Sequence, residues 1–159
     1  MEKTNVMRLL DQKKIQYEAR FYDANITNGV DVASVLSEAK EDVYKTLVTV
    51  SNNGRFYVFV VPVYLELDLK KAAKVAGVKS IEMIKQKDLL PLTGYIHGGC
   101  SPIGMKKLFP TFIDSSAKEK GFIFVSAGKC GAQIKINPND LIKIINARYE
   151  LVTKGENDD

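Results

Sequence analysis

Residues 56–63 form a nearly unbroken apolar run of aromatic and β-branched side chains: Phe56-Tyr57-Val58-Phe59-Val60-Val61-Pro62-Val63. It is far shorter than the roughly 20 residues a membrane helix needs. It is also nearly all apolar, with no alternation that would leave one face wet. The pattern predicts a strand buried on both faces, at the centre of a sheet. Pro62 predicts that pairing weakens towards the end of the run. A second β-branched run, 45–50, precedes it, and Asn52-Asn53-Gly54 between them is a hairpin signal. Any fold must therefore cover a central hairpin from both sides.

The rest of the chain supplies that cover. Residues 4–14 read as an amphipathic helix, with Thr4 or Asn5 as cap and Val6, Leu9 and Leu10 as its apolar stripe. A strand is predicted over 17–22. Asp31 is the expected cap of a second helix carrying Val32, Val35 and Leu36. Asp68 caps a helix over 69–76, which Gly77 closes. A short strand is expected over 80–83, then one helical turn over 88–90 before Pro91. Further strands are predicted near 111–114, 122–126 and 133–136. Asn137-Pro138 opens a last helix over 139–146, and 149–152 reads as an edge strand. Strands and helices do not alternate strictly, which argues against a doubly wound sheet. The predicted class is α+β: a mixed, curled, barrel-like β-sheet with surrounding helices in a single domain over 1–153, followed by a disordered tail, 154–159.

Composition narrows the functional classes. The chain has 159 residues, 45% hydrophobic and 26% charged, as expected of one globular domain. The polar N-terminus leads into a helical pattern and does not read as a signal peptide. Two cysteines, Cys100 and Cys130, read as free thiols of a cytoplasmic protein. A net charge of +4 permits a polyanionic partner without demanding one.

Three features could carry chemistry. The first is the segment 93–104, with four glycines in twelve positions, which could turn backbone N–H groups towards an anion. It is neither a Walker loop nor a dinucleotide fingerprint, and by itself it reads first as a long turn needing glycine. The second is Ser126-Ala127-Gly128-Lys129-Cys130-Gly131, which by itself reads as a hairpin turn. The third is Lys45. Alternation places Lys45, Leu47 and Thr49 on one face of their strand and Thr46, Val48 and Val50 on the other. A lysine there could project into a cleft, or snorkel at a sheet edge. The sole histidine, His97, has no partner histidine or Cys-x-x-Cys pair for zinc, and no Gly-x-Ser-x-Gly elbow is present.

Their order and joint spacing say more. Lys45-Thr46-Leu47 is followed by Gly94-Tyr95, Gly98-Gly99, Ser101-Pro102 and Gly104. Ser126-Ala127-Gly128 and Gly131 come next, then Pro138, Asp140 and Leu141, with Leu69-Lys70-Lys71-Ala72-Ala73 also matching. Over nearly the whole chain this resembles the YbaK/prolyl-tRNA-synthetase editing-domain family, most of all its free-standing Cys-tRNA(Pro) deacylase branch. The resemblance implies hydrolysis of the ester of a mischarged tRNA, acting in trans on Cys-tRNA(Pro) and also Cys-tRNA(Cys), without metal or cofactor. It implies catalytic roles for Lys45, Gly98 and Gly99. It assigns substrate contacts to Tyr22, Thr46, Tyr95, Ser101, Pro102, Ile103, Gly104, Ser126, Gly128 and Gly131. His97, Cys100 and Gln133 receive no role, and the attacking thiol is expected to be the substrate's own. The implied partners are the aminoacyl-tRNA 3′ end and prolyl-tRNA synthetase, with no membrane or DNA, for a monomer or weak homodimer. The alternatives are editing of Ala-tRNA(Pro) or another small residue, a non-catalytic module binding tRNA 3′ ends or a synthetase, and a small-molecule phosphate binder.

Overall fold

The computed structural model describes residues 2–155. The central hairpin is β2 (Tyr44–Ser51) and β3 (Phe56–Pro62), antiparallel with Lys45 opposite Val61 and Thr46 opposite Val60. Val58, Phe59, Val60 and Val61 have no solvent exposure, as the apolar run required. Period-two alternation sends them to two different cores. Phe59 and Val61 pack with Phe112 against Ala72 and Ala73 of helix α3 (Leu69–Ala76). Val60 packs on the opposite side with Tyr44, Ile113 and helix α1 (Asn5–Gln12).

The strands form two sheets. One orders β1 (Tyr17–Phe21), β7 (Ala132–Ile136) and β6 (Ile123–Ser126), all antiparallel. The other orders β4 (Ile81–Met83), β2, β3, β5 (Thr111–Asp114) and β8 (Arg148–Glu150), with β3–β5 and β5–β8 parallel. The mixed, curled character expected of the sheet is present, but it does not close into a barrel. Val43 and Phe124 form an isolated parallel bridge between the two sheets. Continuing that register would pair Lys45 with Ser126; instead the strands part there. On the same edge β4 reaches only Thr49–Ser51, with Ile84 N–H donating to Val48 O at 3.3 Å. Alternation then turns the Thr46 backbone N–H and C=O to an open edge.

Local corrections have simple causes. Helix α2 (Gly29–Val35) is capped by Asn28, whose Oδ1 accepts from Val30 and Asp31 N–H; Asp31 lies in the first turn rather than at the cap. Helix α4 (Gln86–Thr93) is longer than the expected turn and runs through Pro91. Pro91 lies inside the helix and forfeits the bond its nitrogen would otherwise donate to the Lys87 carbonyl. Thr93 Oγ1 donates to Leu89 O at 2.8 Å, and left-handed Gly94 closes the end. The last helix, α5 (Pro138–Ile145), follows its Asn137 cap. Strand β8 begins one residue before the expected span and stops at Glu150, after which Val152 N–H and Thr153 Oγ1 donate to buried Asp114 Oδ1. Lys154 N–H donates to Glu66 O at 3.0 Å, and the remainder of the predicted tail, 156–159, lies outside the described residues. No helix among the described residues is long and apolar enough to cross a membrane.

Candidate active site

Where the sheets part, a cavity of about 520 Å³ opens. Lys45, Thr46 and Leu47 form one wall, Ser126 and Gln133 another. Thr27, Asn28, Gly29 and Val30, leading into α2, close it on one side, and His97, Gly98 and Cys100 on another; Tyr22 also lines it. Of the residues singled out from the sequence, the fold thus brings together Lys45, Tyr22, Thr46, Gly98 and Ser126.

Lys45 is the cation of this cavity. It makes no hydrogen bond or ion pair among the described residues. Burial holds its ammonium below the usual lysine range, while the Glu66 carboxylate pulls the other way. Burial likewise raises the Tyr22 hydroxyl, against hydrogen bonds from Gln133 and the Gly131 backbone. The Cys100 thiol is pushed up to about 12 by burial, so it is not a thiolate at neutral pH.

The two glycine segments are one unit. A Cβ on Gly99 would lie 2.8 Å from Cys130 N and 2.9 Å from Lys129 C, so only glycine lets these backbones touch. Cys130 Sγ donates to His97 O at 3.5 Å across the same contact. Gly99 itself is buried, and its N–H is spent on Ile96 O at 3.0 Å. The N–H groups of its neighbours, Gly98 and Cys100, have no partner among the described residues.

The remainder of the segment stands behind the cavity. Tyr95 donates to Ile103 O, and Ser101 Oγ accepts from Ile103 N–H at 3.1 Å. Ser101, Pro102 and Ile103 are buried. Tyr95, Gly104 and Gly128 line a separate recess of about 320 Å³ beside α1. Gly131 supports the Tyr22 backbone, with Tyr22 N–H donating to Gly131 O at 3.0 Å. These residues frame the loop rather than line the Lys45 cavity.

A model of the aminoacyl-tRNA editing domain matches residues 23–144 of the chain. A protein of Enterococcus faecalis provisionally named Cys-tRNA(Pro)/Cys-tRNA(Cys) deacylase EbsC is 45% identical over 157 residues, covering 98% of this chain and 96% of that one. This chain belongs to the aminoacyl-tRNA editing domain family. Solved structures agree on the fold. The hypothetical protein APE2540 superposes with a TM-score of 0.87 at 18% identity, over 95% of this chain and 100% of its own. A structure provisionally described as a trans-editing enzyme for prolyl-tRNA synthetase does so with a TM-score of 0.83 at 20% identity, over 98% of this chain and 100% of its own. In this editing domain, sequence reasoning passed over Gln133, Thr27 and Asn28 as wall residues. The available signal for Gln133 was its place as a polar residue between core Ala132 and Ile134, opposite Ser126.

Proposed function

We propose that this protein is a free-standing aminoacyl-tRNA deacylase that hydrolyses the ester of cysteine misattached to tRNA(Pro). The observation that carries the reading is a half-buried lysine, unpaired among the described residues, sharing one cavity with the loop 97–100, in a chain 45% identical to a protein provisionally named for that reaction. An aminoacyl ester is already reactive, so positioning and charge stabilisation suffice. Lys45 holds the terminal phosphate or ribose of the 3′ end and so places the ester carbonyl at the loop. As the tetrahedral oxyanion forms, the N–H groups of Gly98 and Cys100 stabilise it; the bonded Gly99 N–H cannot. Tyr22 and Ser126 complete the walls. Tyr95, Ser101, Pro102, Ile103, Gly104, Gly128 and Gly131 hold the loop in register and contribute indirectly.

No side chain of the cavity is a ready nucleophile, since burial keeps the Cys100 thiol protonated. The substrate's thiol attacks its own carbonyl, the bond from the carbonyl carbon to the ribose oxygen breaks, and the ribose hydroxyl and a cyclic thioester leave. With a net charge of only +4, the chain grips the acceptor end, and discrimination among tRNA bodies falls to a prolyl-tRNA synthetase partner. The test is ester loss from Cys-tRNA(Pro), Ala-tRNA(Pro) and Pro-tRNA(Pro). Rapid loss from the first alone is expected; equal rates on all three, or none, reject the reading.

A further inference from the structure

Among the described residues, two buried side-chain oxygens have no hydrogen-bond partner, Thr46 Oγ1 and Gln133 Oε1, and both belong to side chains lining the Lys45 cavity. Gln133 is only 6% exposed. Its Oε1 is the amide atom without a partner among the described residues, and its amide lies near enough to the Tyr22 hydroxyl to favour that group's ionised form. Orphaned buried acceptors are costly, and two on one cavity ask for a ligand rich in N–H donors. The carbonyl of Thr46, on the open edge of β2, adds a third acceptor. The side chains of Lys45 and Thr46 leave the strand on opposite faces. The cavity is therefore polarised, with a cation on one side of β2 and acceptors on the other.

We infer that Gln133 and Thr46 form a subsite for the α-ammonium group of the aminoacyl ester, and that the cavity selects esters whose α-amine is free. An ammonium has three donors and one positive charge; it is repelled from the Lys45 side and matched on the acceptor side. It lies two bonds from the ester carbonyl, so seating it there orients that carbonyl between the strand and the loop 97–100. Rotation about the terminal torsions of Thr46 and Gln133 brings both oxygens to it. N-blocked or α-hydroxy esters of the same side chain leave the acceptors unpaired and bind less well. This inference rests on the deacylase reading for its ligand, but its test does not need catalysis.

The probes are 3′-(L-cysteinylamido)-3′-deoxyadenosine, whose amide cannot be hydrolysed, and its counterpart with an α-hydroxyl in place of the amine. Calorimetric titration at pH 6, below the ordinary α-amino range, keeps the amine charged. The wild-type protein should prefer the amine by about tenfold or more, the expected worth of hydrogen bonds to a charged donor. Gln133→Leu and Thr46→Val should each shrink the preference to about twofold, chiefly by weakening the amine ligand, while Gln133→Glu should widen it. Equal binding of the two probes, no binding of either, or equal weakening of both by Gln133→Leu and Thr46→Val overturns the subsite. Ester hydrolysis measured in parallel separates the two ideas. Hydrolysis without amine preference removes the subsite alone; amine preference without hydrolysis removes the deacylase reading and keeps the subsite.

Discussion

Gly99→Ala is the sharpest perturbation of the loop. The new methyl group would sit 2.8 Å and 2.9 Å from two backbone atoms of the second glycine segment, against about 3.5–4.0 Å for an ordinary carbon contact. Neither atom can rotate away, so the two segments must separate by roughly 0.7 Å or more. Overpacking of this kind costs about 1–3 kcal/mol, equivalent to a fall in Tm of about 3–10 °C for a domain of this size. The shift also moves the Gly98 and Cys100 N–H groups off the position of the forming oxyanion, and misplacement by about 1 Å costs on the order of 100-fold in rate. Gly121→Ala is the control, because a Cβ there meets nothing within 4 Å. Thermal melts and single-turnover deacylation of Cys-tRNA(Pro) should show Gly99→Ala impaired in both and Gly121→Ala in neither. Wild-type melting and rate for Gly99→Ala would refute the interlocked-loop account.

Four further outcomes are expected. Thr46→Val removes an orphaned buried hydroxyl and should stabilise the unliganded protein by about 1 kcal/mol in chemical denaturation; a loss of stability contradicts the orphan assignment. Asp114→Ala should cost about 3 kcal/mol, because Val152 N–H, Thr153 Oγ1 and Ser116 N–H lose a buried carboxylate acceptor. Lys45 has its pKa lowered from 10.5, so between its native value and 10.5 the unfolded chain binds more protons than the native one; the lysine's full burden on stability is present below that window and lifts as pH rises through it. Lys45→Met should therefore exceed wild type in stability at pH 7, with the gap closing in alkaline melts. Replacing Cys100 and Cys130 together by serine should leave deacylation within a few-fold of wild type, and its abolition would assign the nucleophile to the protein.

Local chemistry was legible where one segment decides its own conformation. The 56–63 run announced a strand buried on both faces, and Asp68 with Gly77 bracketed α3 at both ends. The division into two sheets was not legible, because it depends on pairings between distant segments: β1 with β7, and β3 with β5. Pro91 misled because the helix runs two residues past it, closed by Thr93 and left-handed Gly94, despite the bond the proline forfeits. The cavity shows the same contrast. The family resemblance singled out Lys45, Tyr22, Thr46, Gly98 and Ser126, which do meet in space. It could not tell that Gly99 is a steric seat whose N–H is already used, or that Tyr95 and 101–104 face away behind the loop. The polar Gln133 between apolar neighbours was a signal only in retrospect, because its place in the wall arises from β7 pairing with β6, whose Ser126 also lines the cavity.

Single-turnover hydrolysis of Cys-tRNA(Pro) by wild type and Lys45→Ala, with circular dichroism on both, tests the central claim most directly. The account predicts rapid ester loss with wild type, at least about 100-fold slower loss with the variant, and superimposable spectra. A folded Lys45→Ala variant that deacylates at the wild-type rate would contradict it.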